Sequence, residues 1–410
     1  MSESNKIYWK GLEQLRNDEA FVKNAQQEFS AEESDPGHSR RDFLRMMGFG
    51  ISAATLAACE TPVRKAIPYV NKPVDIDASI ANYYASTFIN GGDYCSIVVK
   101  TREGRPIKVE GNSLSTVTKG GVNAQVEASV LSLYDDYRLR KPRLGDKAVT
   151  WEELDKEVLG KLEAIAASRG QIDIVSNTVI SPSTIAAISK FSSKYPTARH
   201  IQYDQVSSYG TLKANEESFG SAMLPSYDFS KAKVIVSVAC DFLGSWPGSI
   251  EASSQYASTR KLDGGKAEMS RHYQYESNLS LTGANADYRT PIKASQEGQL
   301  VAQLYNLVAG KTGAATVPAG NEKFPFLETA ANDLVAAKGA SLVVAGSNDK
   351  NVQVLVNGIN ALLSNYGATI LTERPALIRK GNDEAMDGFV SDLTSGKTKG
   401  VIFYNCNPVY

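Results

Sequence analysis

The sequence predicts an α/β protein: two Rossmann-like lobes with parallel sheets, preceded by a small β-rich segment and an extended lipoprotein leader. Three observations carry that prediction. From residue 150 onward, short apolar runs alternate with helical ones, the pattern of parallel strands joined by crossover helices. One run, Val234-Ile235-Val236-Ser237-Val238-Ala239-Cys240, is apolar at nearly every position, as a strand buried on both faces requires. The first sixty or so residues, by contrast, read as a targeting address.

That address has two parts. Residues 1–38 are a leader extension, in which Tyr8-Trp9-Lys10-Gly11-Leu12 runs into a helical pattern with Leu15, Phe21 and Val22. Residues 39–59 are a twin-arginine export signal with a lipobox. Arg40 and Arg41 precede Phe43-Leu44 and a short apolar run, Met46 to Leu56, softened by glycine and alanine. The run is too short for a membrane span, which needs about 18 apolar residues. It ends Leu56-Ala57-Ala58-Cys59, small residues before a cysteine, so Cys59 is the expected acyl-lipid site. Acyl chains gain about 0.8 kcal/mol per buried methylene, which makes such an anchor close to permanent. The twin-arginine route carries folded cargo, so a cofactor or a partner is expected to join before export. The expected location is the periplasmic face of the bacterial inner membrane.

Residues 60–90 read as an extended tether, punctuated by Pro62, Pro68 and Pro73. Residues 91–149 read as a small β-hairpin and irregular domain: a strand at 94–100, a turn at Glu103-Gly104-Arg105 and a second strand at 106–110. A first α/β lobe is expected over 150–310. It opens on the capping box Thr150-Trp151-Glu152-Glu153 and continues with strands near 172–176, 200–203 and 234–240. Helices are expected over 182–195, 209–219 and 249–262. A second lobe is expected over 311–410, after a helix at 296–309. Its strands lie at 341–345, 367–371 and 400–404, and its helices at 350–366 and 382–395 with Asn382 as N-cap. A buried strand six residues before Tyr410 predicts a continuing, longer polypeptide, so this lobe reads as truncated.

Composition excludes several functions. Lys plus Arg number 44 against 45 Asp plus Glu, so no basic surplus points to nucleic acid. The 3 histidines (His38, His200, His272) are scattered, and the 4 cysteines (Cys59, Cys95, Cys240, Cys406) form no CxxC, zinc ribbon or iron–sulfur run. There is no GxSxG elbow, HExxH or phosphate-cradling glycine loop, so no catalytic residue and no metal ligand set is expected. Cys240 reads as a small core residue, and Cys95 as buried or vestigial. Ligands of open parallel sheets sit beyond the carboxyl ends of strands. Asp241, Asn348 and Asn407 stand at three such ends and either line a pocket or cap the next helix.

Several segments, in order, resemble the molybdopterin oxidoreductase family, and more narrowly the B subunit of bacterial alternative complex III. They are the leader Tyr8-Trp9-Lys10-Gly11-Leu12-Glu13-Gln14-Leu15, the hairpin Gly104-Arg105-Pro106-Ile107-Lys108-Val109-Glu110-Gly111-Asn112, and Tyr134-Asp135-Asp136-Tyr137-Arg138-Leu139-Arg140-Lys141-Pro142. Further on come Tyr227 to Val236, Thr282-Gly283-Ala284-Asn285-Ala286-Asp287 and Asn407-Pro408. The departures are informative. Catalytic members open with a four-cysteine cluster-binding run, of which Cys95 alone is kept. Where members ligate molybdenum through cysteine, selenocysteine or serine, this chain offers Ser207 and Ser208, a vestigial or alternative ligand position.

The resemblance implies a non-catalytic subunit of a membrane-bound, quinol-oxidising electron-transfer complex that scaffolds iron–sulfur and cytochrome subunits. Its expected partners are cytochrome c and integral-membrane quinol-site subunits, with a terminal oxidase as a further one. No cofactor is expected in residues 60–410, and iron–sulfur clusters are expected in a region beyond them. Two alternatives compete: an active molybdopterin-dependent oxidoreductase with a serine metal ligand, and a lipid-anchored solute-binding module.

Overall fold

The computed structural model describes residues 80–90, 93–262 and 268–409. Arg40, Arg41, Cys59, the leader extension and most of the tether lie outside these residues. No helix among the described residues is long and apolar enough to cross a membrane.

The N-terminal sheet has three strands rather than a bare hairpin. β1 (Asn82–Asn90) pairs antiparallel with β2 (Asp93–Arg102), which pairs antiparallel with β3 (Arg105–Gly111). The expected tether therefore ends early, because alternation in Tyr83-Tyr84-Ala85-Ser86-Thr87-Phe88 suits a strand. Ile97, Val109 and Cys95 pack beneath this sheet with Val126 of the short α1 (Ala124–Ala128) and Ile250. A small ribbon, β4 (Arg143–Leu144) with β5 (Lys147–Ala148), leads into the lobes.

The expected capping box is present. Thr150 accepts from the Glu153 amide at 3.3 Å while Glu153 accepts from the Thr150 amide at 2.9 Å, opening α2 (Trp151–Ala167). β6 (Gln171–Ser176), α3 (Pro182–Lys194) and β7 (Ala198–Gln202) follow, close to expectation. Next come α4 (Tyr209–Phe219), β8 (Leu224–Tyr227), β9 (Val234–Val238) and α5 (Ser249–Thr259). β10 (Arg271–Glu276), α6 (Leu281–Ala284), β11 (Tyr288–Pro291), α7 (Glu297–Thr312) and α8 (Leu327–Ala336) continue the chain. β12 (Ser341–Ala345), α9 (Lys350–Leu362), β13 (Ile370–Ala376), α10 (Asp383–Thr394) and β14 (Thr398–Tyr404) complete it.

The strand pairing redraws the expected division near residue 310. One parallel sheet runs β14-β6-β7 and the other β11-β10-β9-β12, so both take strands from either side of that boundary. The first lobe is built from the segments before residue 206 and after residue 377, and the second lies between them. β13 is not a third parallel strand but pairs antiparallel with β8.

The second lobe holds the main core. Val236, Val238, Tyr273 and Tyr275 meet Leu300, Leu304 and Val308 of α7, Leu334 of α8 and Ile359 of α9. Each such buried side chain contributes roughly 1.5–3 kcal/mol. The opposite face carries a second cluster, in which Cys240 packs with Phe229, Phe242 and Leu342, the core role expected of it. The first lobe has a smaller core around Val175, Ile201 and Phe389, and an ion network carries much of its sheet contact. Asp173 of β6 is fully buried and accepts from Arg199 Nε at 2.8 Å and Thr398 Oγ1 at 2.6 Å. Arg199 also reaches Asp392 of α10 at 2.9 Å. Burial would raise the Asp173 pKa, but the hydrogen bonds from Arg199, Thr398 and Gln171 win and hold it below the usual carboxylate range.

Candidate functional site

The carboxyl ends of β6, β7 and β14 open onto a crevice of about 450 Å³. Its lining follows from the local sequence. Val175 and Asn177 leave β6, Tyr203 and Gln205 leave β7, and Asn405, Cys406, Asn407 and Pro408 leave β14. Met386, Phe389, Val390 and Leu393 of α10 supply the apolar wall. Asn405 has φ 51°, a left-handed turn that asparagine tolerates. Its carbonyl accepts from Asn177 Nδ2 at 2.9 Å, which joins the β6 and β14 exits. Cys406 donates through Sγ to the Val175 carbonyl at 3.3 Å, and burial pushes its thiol pKa up, so it is not a thiolate. No lining residue is charged. The crevice can hold a largely apolar body and hydrogen-bond it through side-chain amides and the Tyr203 hydroxyl, and no carboxylate or histidine lines it.

The three expected strand-end residues do not converge. Asn407 lines this crevice, with its Oδ1 accepting from the Val409 amide at 3.0 Å. Asp241 instead braces the second lobe, accepting from the Thr282 hydroxyl at 2.8 Å and from the Ser245 amide at 3.0 Å. Asn348 works between the lobes. Its Oδ1 accepts from the Gly210 amide at 2.8 Å, and its Nδ2 donates to Asp383 of α10 at 3.0 Å.

Ser207 joins the same junction. Its Oγ lies 2.8 Å from both carboxylate oxygens of Asp383 and accepts from the Tyr209 amide at 3.0 Å. Ser208 occupies the N-cap of α4 without a side-chain cap bond. Ser207 donates its proton to Asp383, a hydrogen bond that a deprotonated serine oxygen bound to a metal would not make. Among the described residues, no group of three or more His, Cys, Asp or Glu could hold a metal ion. Cys95 is buried and donates to the Gly121 carbonyl at 3.3 Å. His200 shares a 2.8 Å hydrogen bond with Ser176, and burial lowers its pKa. The sequence reading missed Asp383, the acceptor that binds Ser207 and Asn348. It also missed Asn177, Tyr203 and Asn405, whose polar character at strand exits was a usable signal.

These features define a two-lobed α/β protein with parallel sheets and an uncharged crevice at the strand ends of one lobe. Comparison with known proteins agrees in class. No family model matches the chain. It is 24% identical over 438 aligned residues to the menaquinone reductase, molybdopterin-binding-like subunit, of Nitratidesulfovibrio vulgaris, covering 90% of this chain and 59% of that protein. The fold is that of acetylene hydratase from Pelobacter acetylenicus, with a TM-score of 0.51 at 11% identity over 70% of this chain and 44% of the other. The chain thus spans 59% of the length of the curated relative and under half that of the solved one. The curated relative supports the molybdopterin-type superfamily to which the sequence motifs point, and the solved structure shares the fold.

Proposed function

We propose that this chain is a non-catalytic, molybdopterin-oxidoreductase-fold subunit of a membrane-bound, quinone-linked respiratory complex of the alternative complex III type. It would scaffold iron–sulfur and cytochrome subunits while electrons pass through its neighbours. The relative named as a menaquinone reductase subunit supports the quinone link. The observation that carries the non-catalytic reading is the Ser207–Asp383 hydrogen bond, which commits one of the two family-matched serines to a structural contact. The crevice supports it, since no carboxylate or histidine lines its wall.

In this reading the chain leaves the cytoplasm through Arg40-Arg41, is lipidated on Cys59 and faces the periplasm. Its partners are cytochrome c and integral-membrane quinol-site subunits. The exposed Tyr83 and Tyr84 of β1 are the natural docking residues, because aromatic side chains concentrate at interface cores. The test is elemental analysis of the complex purified through a tag on this chain, with the wild type and Ser207→Ala compared. Haem and iron–sulfur subunits should co-purify with both, with no molybdenum or tungsten assigned to this chain. A stoichiometric metal lost on Ser207→Ala would replace this reading with an active molybdopterin enzyme. Purification of the chain by itself from solubilised membranes would point to a solute-binding module.

A further inference from the structure

The two edges of the N-terminal sheet are finished differently. At one edge, β3 carries Arg105, Pro106, Lys108 and Glu110, and its pairing with β2 shifts register between Lys100 and Thr101. The Tyr134 hydroxyl also donates to the Pro106 carbonyl at 2.5 Å. Charge, proline, irregular register and a covering side chain are the features by which a sheet edge resists further pairing. At the other edge, β1 has none of them. It is 9 residues long, holds no charged residue, proline or glycine, and pairs with β2 in unbroken register. Among the described residues no strand lies on its outer side.

Its side chains are left open on both faces. Tyr84 and Phe88 stand on the face of Cys95 and Ile97, and Tyr83 and Ile89 stand on the other. Tyr83, Tyr84 and Ile89 are 55%, 57% and 45% exposed. A long, uncharged edge of this kind is a template for one more strand.

The sequence of β1 selects the strand that fits. Asn-Tyr-Tyr-Ala-Ser-Thr-Phe-Ile-Asn is a palindrome in chemical class, centred on Ser86. A two-fold axis at Ser86 sets an antiparallel second copy with Tyr84 opposite Phe88, Tyr83 opposite Ile89 and Ala85 opposite Thr87. Each tyrosine then meets a large apolar side chain, the cross-strand pairing that stabilises sheets, and no like charges meet. Self-complementarity is what a two-fold dimer requires, because both copies present the same surface.

We infer that two copies of this chain pair through β1, antiparallel about Ser86, joining their three-stranded sheets into one. The inference goes beyond the respiratory reading and does not rest on it. Tyr83 and Tyr84 cannot serve a second copy and a partner subunit at once, so the dimer is the form of the chain outside its complex. A single strand pair belongs to the small interfaces, under about 1,200 Å², whose complexes are transient.

Sedimentation of the full-length chain, purified without other subunits, should show a reversible monomer–dimer equilibrium over a concentration series. Ser86→Lys and Ser86→Glu each set like charges on the axis and should weaken the dimer about tenfold or more. The melting temperature should change little, because Ser86 is exposed. Mixing the two variants should restore dimers, which a contact between β1 and any other surface would not do. Ser86→Cys should cross-link to itself on mild oxidation, since directly opposed residues of an antiparallel pair lie about 4.5–5.5 Å apart at Cα, within disulfide reach. Tyr83→Cys should cross-link with Ile89→Cys and not with itself. A chain that stays monomeric at every concentration, or a dimer that survives both charges at Ser86, would overturn the inference. So would a monomeric isolated chain whose Ser86→Lys variant loses its partner subunits, which assigns the edge to a partner's strand instead.

Discussion

Asn348 and Asp383 hold the two lobes to each other. The amide leaves the end of β12 in the second lobe and donates at 3.0 Å to a carboxylate in the first turn of α10 in the first lobe. Ser207 reaches the same carboxylate at 2.8 Å. The acid serves the N-terminus of α10 as well, where a negative charge is favourable.

Asp383→Ala should cost about 1–2 kcal/mol, since it leaves two donors without their acceptor. In urea unfolding, a double-mutant cycle of Asp383→Ala with Ser207→Ala should give a coupling near 1 kcal/mol. Additive effects would show that the two side chains do not share their energy.

Gly210 tests the closeness of this junction. A Cβ added there would collide with the backbone carbonyl oxygen of Asn348, which cannot swing aside as a side chain can. Gly210→Ala should destabilise by about 1–3 kcal/mol, as overpacking does, despite the better helix propensity of alanine. Loss of protection at the Gly210 and Asp383 amides in hydrogen exchange would localise the damage.

Asp173 makes the first lobe sensitive to acid below about pH 4. The pKa of Asp173 is depressed in the folded state, so its contribution is present above its unfolded pKa, near 3.9. It is lost as pH falls from there through the folded value. Asp173→Asn should flatten the stability–pH curve below about pH 4. It should also cost about 2–3 kcal/mol at pH 7, at the lower end for a broken buried pair because Arg199 remains partly in water.

His272 acts over a higher window. It is fully buried against Phe242 and Tyr256, and burial lowers its pKa to about 4. A histidine neutral when folded and titrating near 6.5 when unfolded gives stability that is complete above pH 6.5. About 3 kcal/mol of it is lost as pH falls to 4. Nuclear magnetic resonance of the ring should show a neutral imidazole at pH 5.5, and His272→Gln should remove the slope between those limits.

Export and anchoring are checked in the cell. Arg40→Lys combined with Arg41→Lys should strand the precursor in the cytoplasm, and Cys59→Ala should give an exported chain without lipid. Mass spectrometry finding Cys59 unmodified and joined to Ala58 in the native protein would rule out the anchor.

Strands that are apolar on both faces, β9 and β12, were legible from composition. β10 was not, although it is equally buried. Tyr273 and Tyr275 point into the main core while His272 and Gln274 occupy the other face, so the segment looks hydrophilic in sequence. Those polar groups are buried because they satisfy one another, His272 with Gln274 at 3.2 Å and Gln274 with Glu276 at 3.0 Å, a pairing that no periodicity reveals. The division of the lobes was illegible for a different reason. Local pattern identifies β6 and β14 but not their adjacency, which rests on contacts such as Thr398 with Asp173, 225 positions apart. In the site, Asn407 could be flagged as a residue at a strand exit. Ser207 could be matched to a family position, yet its meaning depends on Asp383, 176 positions later.

The pairing of β14 with β6 also orders events on the ribosome. β6 and β7 emerge early and can pair at once, but the third strand of their sheet is not translated until the whole second lobe has been synthesised. The edge of β6 must stay open through that interval, exposing hydrogen-bonding groups that a chaperone or another nascent chain could capture. Closure of this sheet is therefore a late, long-range step, slow by the loop entropy it has to overcome. That last strand acts as a mark of completion: a chain lacking it has an unsealed first lobe, whatever the state of the second.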